Sequence, residues 1–477
     1  MTQNSCNPHN NRYKVEYNGF IVMGTIWSPN LDSYTGAKYS RLAQAVEDGI
    51  KNGELMPNSK LPPQRLLADK LGVTVGTVTR AYALLEQRGY VQAKVGAGTY
   101  VKASDYQAAN KGADFATCQQ PFTNQAAILS DALNQLAKTP LRLSQLMQYH
   151  AEPLREHQLT FSQWLHRRNI PQSSEQIVFT HGAQQGIFSI LNGLMQAGEM
   201  LLCESSCYPG IHVAAEQLGL KTMPVSLTNE GLDLAELADK LTQYQPKVLY
   251  LTPNNQNPTC IQYSDTQRKS IIDLARKHRV VIIEDDVNYS LPSEWHTPMW
   301  SLDQQSADNE QQQCVIYLSS LSKMFCGGLR QGFLLIPSRL IGPVKQAIYS
   351  QCWMVSPLNT ELACSIIDNN DFMGQREQLI AERQKLGIAM GLRLKLTQNW
   401  RGLNGWLQLK APLKSHHVVT ALAQKGILIR NGDDFNNHDN CIRISIGDTH
   451  DDKHFIEQLS IIEASIRELS QSAYSVV

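Results

Sequence analysis

No stretch of the sequence reaches about 18 consecutive apolar residues, the length a membrane-crossing helix needs, so no membrane partner is expected. The most apolar early segment, residues 20–27, is short and is interrupted by Gly24 and Thr25. The polar start lacks the basic, apolar, then small-residue order of a secretory leader. Net charge is also absent, with 43 basic residues against 43 acidic. A chain that is basic throughout is excluded, although a local basic patch is not. The ten cysteines never form a Cys-x-x-Cys pair. Cys203 and Cys207 come closest, without a histidine at zinc-finger spacing, so no metal site is expected. Scattered cysteines of this kind suit free thiols in a reducing cytoplasm.

What is present describes an ordered globular protein of more than one domain. At 477 residues the chain exceeds the size at which single cores stop growing. Its 42% apolar and 18% charged composition is ordinary for such proteins. Residues 1–37 carry Tyr13, Tyr17, Phe20 and Trp27 but no motif, and read as an N-terminal extension.

The pattern sharpens at residue 38. Leu42, Val46 and Ile50 form a helical apolar stripe, and Pro57, Pro62 and Pro63 mark a loop. Leu66, Leu67, Ala68 and Leu71 make a second helix stopped by Gly72. Thr74 is placed to cap a third, which carries Val78, Tyr82 and Leu85. Short strands at 90–91 and 99–101 flank Gly96 and Gly98 as a hairpin. Three helices and a hairpin over residues 38–102 spell a winged helix-turn-helix. Ten basic residues against five acidic leave this segment at +5 in a neutral chain, the excess that phosphate contacts demand.

The words Leu-Pro-Pro-Gln-Arg-x-Leu-Ala (61–68), Leu-Gly-Val-Thr (71–74), Thr-Val-Thr-Arg-Ala-Tyr (77–82), Leu-Glu-Gln-Arg-Gly-Tyr (85–90) and Gly-Ala-Gly-Thr-Tyr-Val (96–101) resemble the GntR family of bacterial regulators. The resemblance implies double-stranded DNA as a partner. It implies that Arg65, Thr74, Thr77 and Arg80 face it, with Gly98 at the tip of the wing. Residues 103–111 lack an apolar period and read as a linker.

From residue 112 to 477, helical and strand patterns alternate as in a layered α/β domain. Residues 177–180 form a strand that runs into His-Gly-Ala-Gln-Gln-Gly (181–186) and a helix, a backbone cradle for phosphate. Strand 248–251 leads into Thr-Pro-Asn-Asn-Gln-Asn-Pro-Thr-Cys (252–260). The apolar strand at 280–284 suits the middle of a parallel sheet, with Asp285 at its C-terminal end, where such sheets bind ligands. In Ser-Ser-Leu-Ser-Lys-Met-Phe-Cys-Gly-Gly-Leu-Arg (319–330), Lys323 offers an amine that can form a Schiff base with an aldehyde. Ser320, Ser322 and Arg330 offer hydroxyls and a guanidinium for a phosphate.

These segments, in this order, resemble the fold-type I aminotransferases that use pyridoxal 5'-phosphate (PLP). The resemblance implies Lys323 as the Schiff-base lysine and Gly182, Ala183 and Gln184 as the phosphate loop. It implies Tyr208 stacked on the pyridine ring, Asn257 on its 3-oxygen and Asp285 on its nitrogen. Arg443, in an alternating strand at 441–446, matches the arginine that holds a substrate carboxylate, and Tyr149 is a weaker match to a residue reaching a neighbouring subunit's phosphate. Two positions depart from the pattern. Cys260 replaces a turn glycine, and Asn288 stands where the family has a tyrosine. Tyr289, one residue later, either reaches in through a shifted loop or leaves the 3-oxygen without a tyrosine hydroxyl.

A GntR winged helix joined to such a domain is the architecture of the MocR subfamily. The implied function is a homodimeric, cytoplasmic, DNA-binding transcription regulator that senses PLP or a small amino compound at Lys323. The alternative is an active aminotransferase that also carries a DNA-binding domain.

Overall fold

The computed structural model describes residues 12–17, 20–25, 27–51, 54–55, 59–94, 98–101, 113–150, 152–369, 373–447 and 452–474. The expected linker and Gly96 lie outside the described residues. Two compact units result, Met1–Lys111 and Gly112–Val477.

In the first unit, helices Lys38–Lys51, Gln64–Leu71 and Val75–Gln87 precede the antiparallel strands Val91–Lys94 and Gly98–Val101. Leu42, Val46, Leu67, Val78 and Leu85 form its core, each 1% exposed or less. Thr74 caps the third helix by accepting from the Thr77 N–H, which satisfies one of the unpaired donors at a helix start. Gly72 ends the second helix in the left-handed conformation (φ 60°), where glycine escapes the Cβ penalty. Backbone bonds from Leu61 to Thr99 and from Val101 to Ser59 add an extra edge to the hairpin, an addition that local sequence did not announce. The N-terminal extension, in which the sequence shows no motif, holds an antiparallel pair, Arg12–Tyr17 with Phe20–Thr25.

The second unit is built on a seven-stranded sheet in the order Ile177–Thr180, Gly332–Leu335, Val315–Ser320, Val281–Asp285, Val248–Leu251, Met200–Glu204, Lys221–Val225. Gly332–Leu335 runs antiparallel to both its neighbours, and the other pairings are parallel. Strand side chains alternate between faces. Thus Leu249, Ile282, Tyr317 and Phe333 enter one core while Tyr250, Ile283, Ile316 and Leu334 enter the other. Burial on both faces explains why these strands read as continuous apolar runs. Their C-terminal ends carry the polar text. A four-stranded antiparallel sheet, Thr397–Arg401, Asn404–Gln408, Cys441–Ser445 and Arg430–Asn431, presents Arg443. Among the described residues, no helix is long and apolar enough to cross a membrane.

Candidate cofactor cavity and DNA-facing helix

One cavity of about 430 Å³ gathers most of the expected residues. Ala183, Gln184, Tyr208, Asn257, Asp285, Ser320, Ser322, Lys323, Arg330 and Arg443 all line it. Most reach it from a strand end of the large sheet or the loop after one, whereas Arg443 comes from the middle of the strand Cys441–Ser445 in the smaller sheet.

Gly182 lies beneath the Arg330 guanidinium. A Cβ there would meet Arg330 Nη2 at 2.6 Å, and φ +79° with ψ 170° is a conformation almost confined to glycine. It caps the helix Ala183–Leu194, whose positive dipole end thus lies beside Arg330. The Gln184 side chain is committed elsewhere, donating to the Gly210 carbonyl at 2.9 Å, so its contribution to the cradle is its backbone. Ser320 Oγ accepts from the Ser322 N–H at 3.0 Å, which fixes the turn before Lys323. The Lys323 ammonium donates to the Cys118 carbonyl, and the Lys323 carbonyl accepts from Gln120 at 2.6 Å.

Asp285 is buried. One oxygen accepts from the Tyr250 hydroxyl at 2.6 Å, and the other from the Val287 N–H at 3.1 Å. Burial nevertheless pushes its pKa up to about 7, because the charged form is poorly solvated. A cationic partner in the cavity would offset that cost. Burial also raises the Tyr208 pKa.

Arg443 is 5% exposed. It donates to Asn257 Oδ1 at 3.0 Å and to the Ala116 carbonyl at 2.6 Å, and its guanidinium carbon lies 4.9 Å from the Phe435 ring centroid. Its buried Nε has no hydrogen-bond partner. Among the described residues it forms no ion pair, and neither does Arg330. A buried cation without a counterion is costly, so this wall of the cavity is built for an anion. Burial lowers the Arg443 pKa. Because Asn257 accepts with its oxygen, its NH₂ is the group left to donate.

The two departures from the family pattern resolve differently. Cys260 adopts φ 58°, the conformation that the usual glycine would take, and its N–H bonds the Gln256 carbonyl at 2.8 Å, so the turn is kept. At the other position no tyrosine hydroxyl enters the cavity. Tyr289 is buried and donates its hydroxyl to Glu377 at 3.0 Å, while Asn288 lines the cavity and donates to the Asn255 carbonyl at 2.9 Å. Tyr149, the weaker expectation, is 80% exposed and stacks on Trp353 with ring centroids 5.4 Å apart.

Several residues at the site carried no signal in the sequence. Glu204 is fully buried and accepts from the Thr252 N–H and hydroxyl, Gln256 and Tyr263, holding the loop that delivers Asn257. Tyr250 acts 35 positions from its partner Asp285. Residues 116–118 contribute carbonyls, which any sequence has.

In the first unit, Arg65 and Arg80 are exposed and Thr74 and Thr77 lie at the start of the third helix. The two threonine hydroxyls are 2.9 Å apart, and the Arg80 guanidinium lies 4.2 Å from the Tyr39 ring centroid, which restrains it on the exposed face. Gly98 opens the second hairpin strand, paired with Lys94.

Residues 38–101 match the bacterial regulatory proteins of the gntR family, and residues 114–459 match aminotransferase class I and II. The chain is 30% identical to the HTH-type transcriptional regulator YdeF of Bacillus subtilis, over 77% of this chain and 80% of that one. It is 27% identical to the vitamin B6 salvage pathway transcriptional repressor PtsJ of Salmonella typhimurium, over 84% and 91%. It is 22% identical to the Rhizobium meliloti protein named Probable rhizopine catabolism regulatory protein MocR, over 74% and 76%. LysN, an α-aminoadipate aminotransferase of Thermus thermophilus, superimposes with a TM-score of 0.68 at 20% identity, over 81% of this chain and 97% of that one, which shows the fold. The cofactor of that family is PLP. The chain belongs to the MocR-type GntR transcriptional regulators, in which a DNA-binding winged helix precedes a class I and II aminotransferase domain.

Proposed function

We propose that this regulator senses a carboxylate-bearing amino compound, or PLP itself, in the cavity around Lys323. The observation that carries the reading is the pair of cations, Arg330 and Arg443, that line one cavity with no ion pair among the described residues. Arg330 and the N–H groups of Ala183 and Gln184 would hold the PLP phosphate. Asp285 would hold the ring nitrogen, Tyr208 the ring face, and the Asn257 amide the 3-oxygen. When bound, PLP supplies an aldehyde that one amine at a time can occupy. Lys323 would supply the resident amine, and an effector amine would compete with it. Arg443 orients that effector through its carboxylate. Ser320 and Ser322 hold the turn that aims Lys323, and Tyr250 keeps the Asp285 carboxylate oriented.

DNA affinity then changes only by the effector's differential affinity for two states of the protein. A homodimer in the cytoplasm would present two winged helices to two half-sites. Leu141 and Met147, each 85% exposed, and the stacked Tyr149 and Trp353 supply an apolar surface suited to a second copy. The similarity to a vitamin B6 salvage repressor supports PLP itself as one signal.

The test is the visible absorption of the purified chain with PLP, then with a panel of amines, alongside DNA binding by fluorescence anisotropy. A band absent in Lys323→Ala is expected, shifted durably by a carboxylated amine together with a change in DNA affinity. Conversion to the pyridoxamine form, reversed by a keto acid, would instead establish an aminotransferase. A wild-type chain that shows no band would overturn the reading.

A further inference from the structure

Behind Tyr208, away from any role assigned above, the sulfurs of Cys203 and Cys207 and one ring nitrogen of His212 lie within 4.8 Å of one another. Cys203 sits on the buried strand Met200–Glu204, Cys207 in the turn that follows, and His212 in the first turn of the helix Pro209–Gln217. Both thiols are fully buried, and His212 is half-buried. Cys207 Sγ is 3.3 Å from His212 Nε2. That same nitrogen is 3.0 Å from the Asn436 amide nitrogen. Nε2 therefore accepts from the Asn436 amide N–H, with the Cys207 sulfur beside it. It is the accepting nitrogen, in the neutral form that ligates metals.

We propose that Cys203, Cys207 and His212 bind a zinc ion. Tetrahedral zinc with bonds of about 2.3 Å to sulfur and 2.0–2.1 Å to nitrogen spaces its ligand atoms about 3.5–3.8 Å apart. The observed separations, 3.3 Å between Cys207 and His212 and at most 4.8 Å within the cluster, bracket that spacing. On binding, two thiol protons leave to solvent and the imidazole donates its lone pair, with no change of oxidation state. Two thiolates and a divalent cation sum to zero charge, which suits a buried setting. A hard cation would be poorly served by sulfur. Exposed Asn436 and half-buried His212 mark the entry path, where a water can complete the fourth position. The sequence showed the cysteine pair but no zinc-finger spacing. The ligand it missed lies five residues on, brought round by the helix turn.

Cys207 adjoins Tyr208, so zinc would fix the turn that forms one wall of the main cavity. A disulfide is the competing use of two cysteines, but both thiols are buried from oxidants and reactive thiolates.

The full chain, purified under reducing conditions, would be loaded with zinc sulfate, desalted and assayed for metal. Cobalt(II) would be added in parallel to report thiolate ligation by its near-ultraviolet charge-transfer band. Wild-type protein is expected to retain about one zinc per chain more than Cys207→Ser or His212→Ala, with affinity weaker by about tenfold or more in each variant. The cobalt band should weaken in Cys207→Ser, which leaves the Cys203 thiolate, and shift in His212→Ala. His212 is only half-buried, so its variant keeps the test decisive if Cys207→Ser fails to fold. Equal metal content in all three proteins, absence of the cobalt band, or loss of two hydrogens in the unreduced mass (a Cys203–Cys207 disulfide) would overturn the site.

Discussion

Gly182→Ala separates the backbone of the anion cradle from its charge. The added Cβ would lie 2.6 Å from Arg330 Nη2, 2.9 Å from its Cζ and 3.1 Å from its Nη1. The far end of an arginine can swing away, so the steric term becomes displacement of the guanidinium. The backbone term cannot relax as easily. At φ +79° and ψ 170° an L-residue costs on the order of 1–3 kcal/mol. Spread over a unit of this size, that lowers Tm by about 1–4 °C. Loss of a charged hydrogen-bonding group from a phosphate costs roughly 1.5–3 kcal/mol, a factor of about 10–150 in the dissociation constant for PLP. Gly198→Ala is the control. It also has positive φ (+87°), yet its Cβ would meet no heavy atom within 4 Å. Gly198→Ala should lose stability and keep PLP affinity, whereas Arg330→Ala should lose affinity without the backbone strain. PLP titration by absorbance and thermal melts of the three variants decide the matter. A Gly182→Ala protein that binds PLP like wild type would refute the assignment of Arg330 to phosphate.

Lys323→Ala should abolish the visible band of added PLP while leaving the far-ultraviolet circular dichroism unchanged, and a retained band would remove Lys323 from its role. Arg80→Ala should weaken DNA binding, flatten its salt dependence by about one unit of log K per log salt, and spare PLP binding; unchanged anisotropy titrations would refute that role for Arg80. Asp285 is ordinarily ionised above pH 3.8, and burial raises that value to about 7. Its contribution to the cofactor-free fold is thus full below about pH 4 and is lost as pH rises toward about 7. Thermal melts between about pH 5 and pH 8 should fall less steeply in Asp285→Asn than in wild type; equal slopes would show that Asp285 keeps an ordinary pKa.

The parts of this protein legible in its sequence are those where one residue type has one job. Thr74 caps, Gly72 ends a helix, and the apolar runs at 248–251 and 280–283 read as buried strands. Each sheet strand stops where a polar loop begins, so the cavity's position followed from the sheet. What stayed hidden depends on pairing at a distance or on backbone. Nothing near Glu204 foretells its four donors, and nothing in residues 116–118 marks their carbonyls as the acceptors for Lys323 and Arg443. The helix Pro140–Leu146 and the antiparallel strand Gly332–Leu335 were silent because both are short and their register is set by neighbours.

Position 288 shows why the cavity suits a sensor at least as well as a catalyst. A catalyst must stabilise the transition state more than the bound ground state. Removing one well-placed donor from a developing charge typically costs about 10²–10³ in rate. A sensor needs only that its ligand bind two states of the protein unequally. Here the holding groups are in place: Arg330 over Gly182, Asp285 backed by Tyr250, and Arg443 braced by Asn257 and Phe435. The tyrosine hydroxyl that the family places at this position is the group that is missing. Its neighbour Tyr289 cannot substitute, because its hydroxyl anchors on Glu377 and its carbonyl accepts from Asn255. Asn288 in turn ties itself to the Asn255 carbonyl. Asn255 thus connects the Asn257 loop to the loop after Asp285, so the two loops that grip opposite functions of a bound ring would move as one. A ligand that repositions either loop moves both, and this is the kind of linked element through which occupancy of the cavity can alter the state of the whole domain.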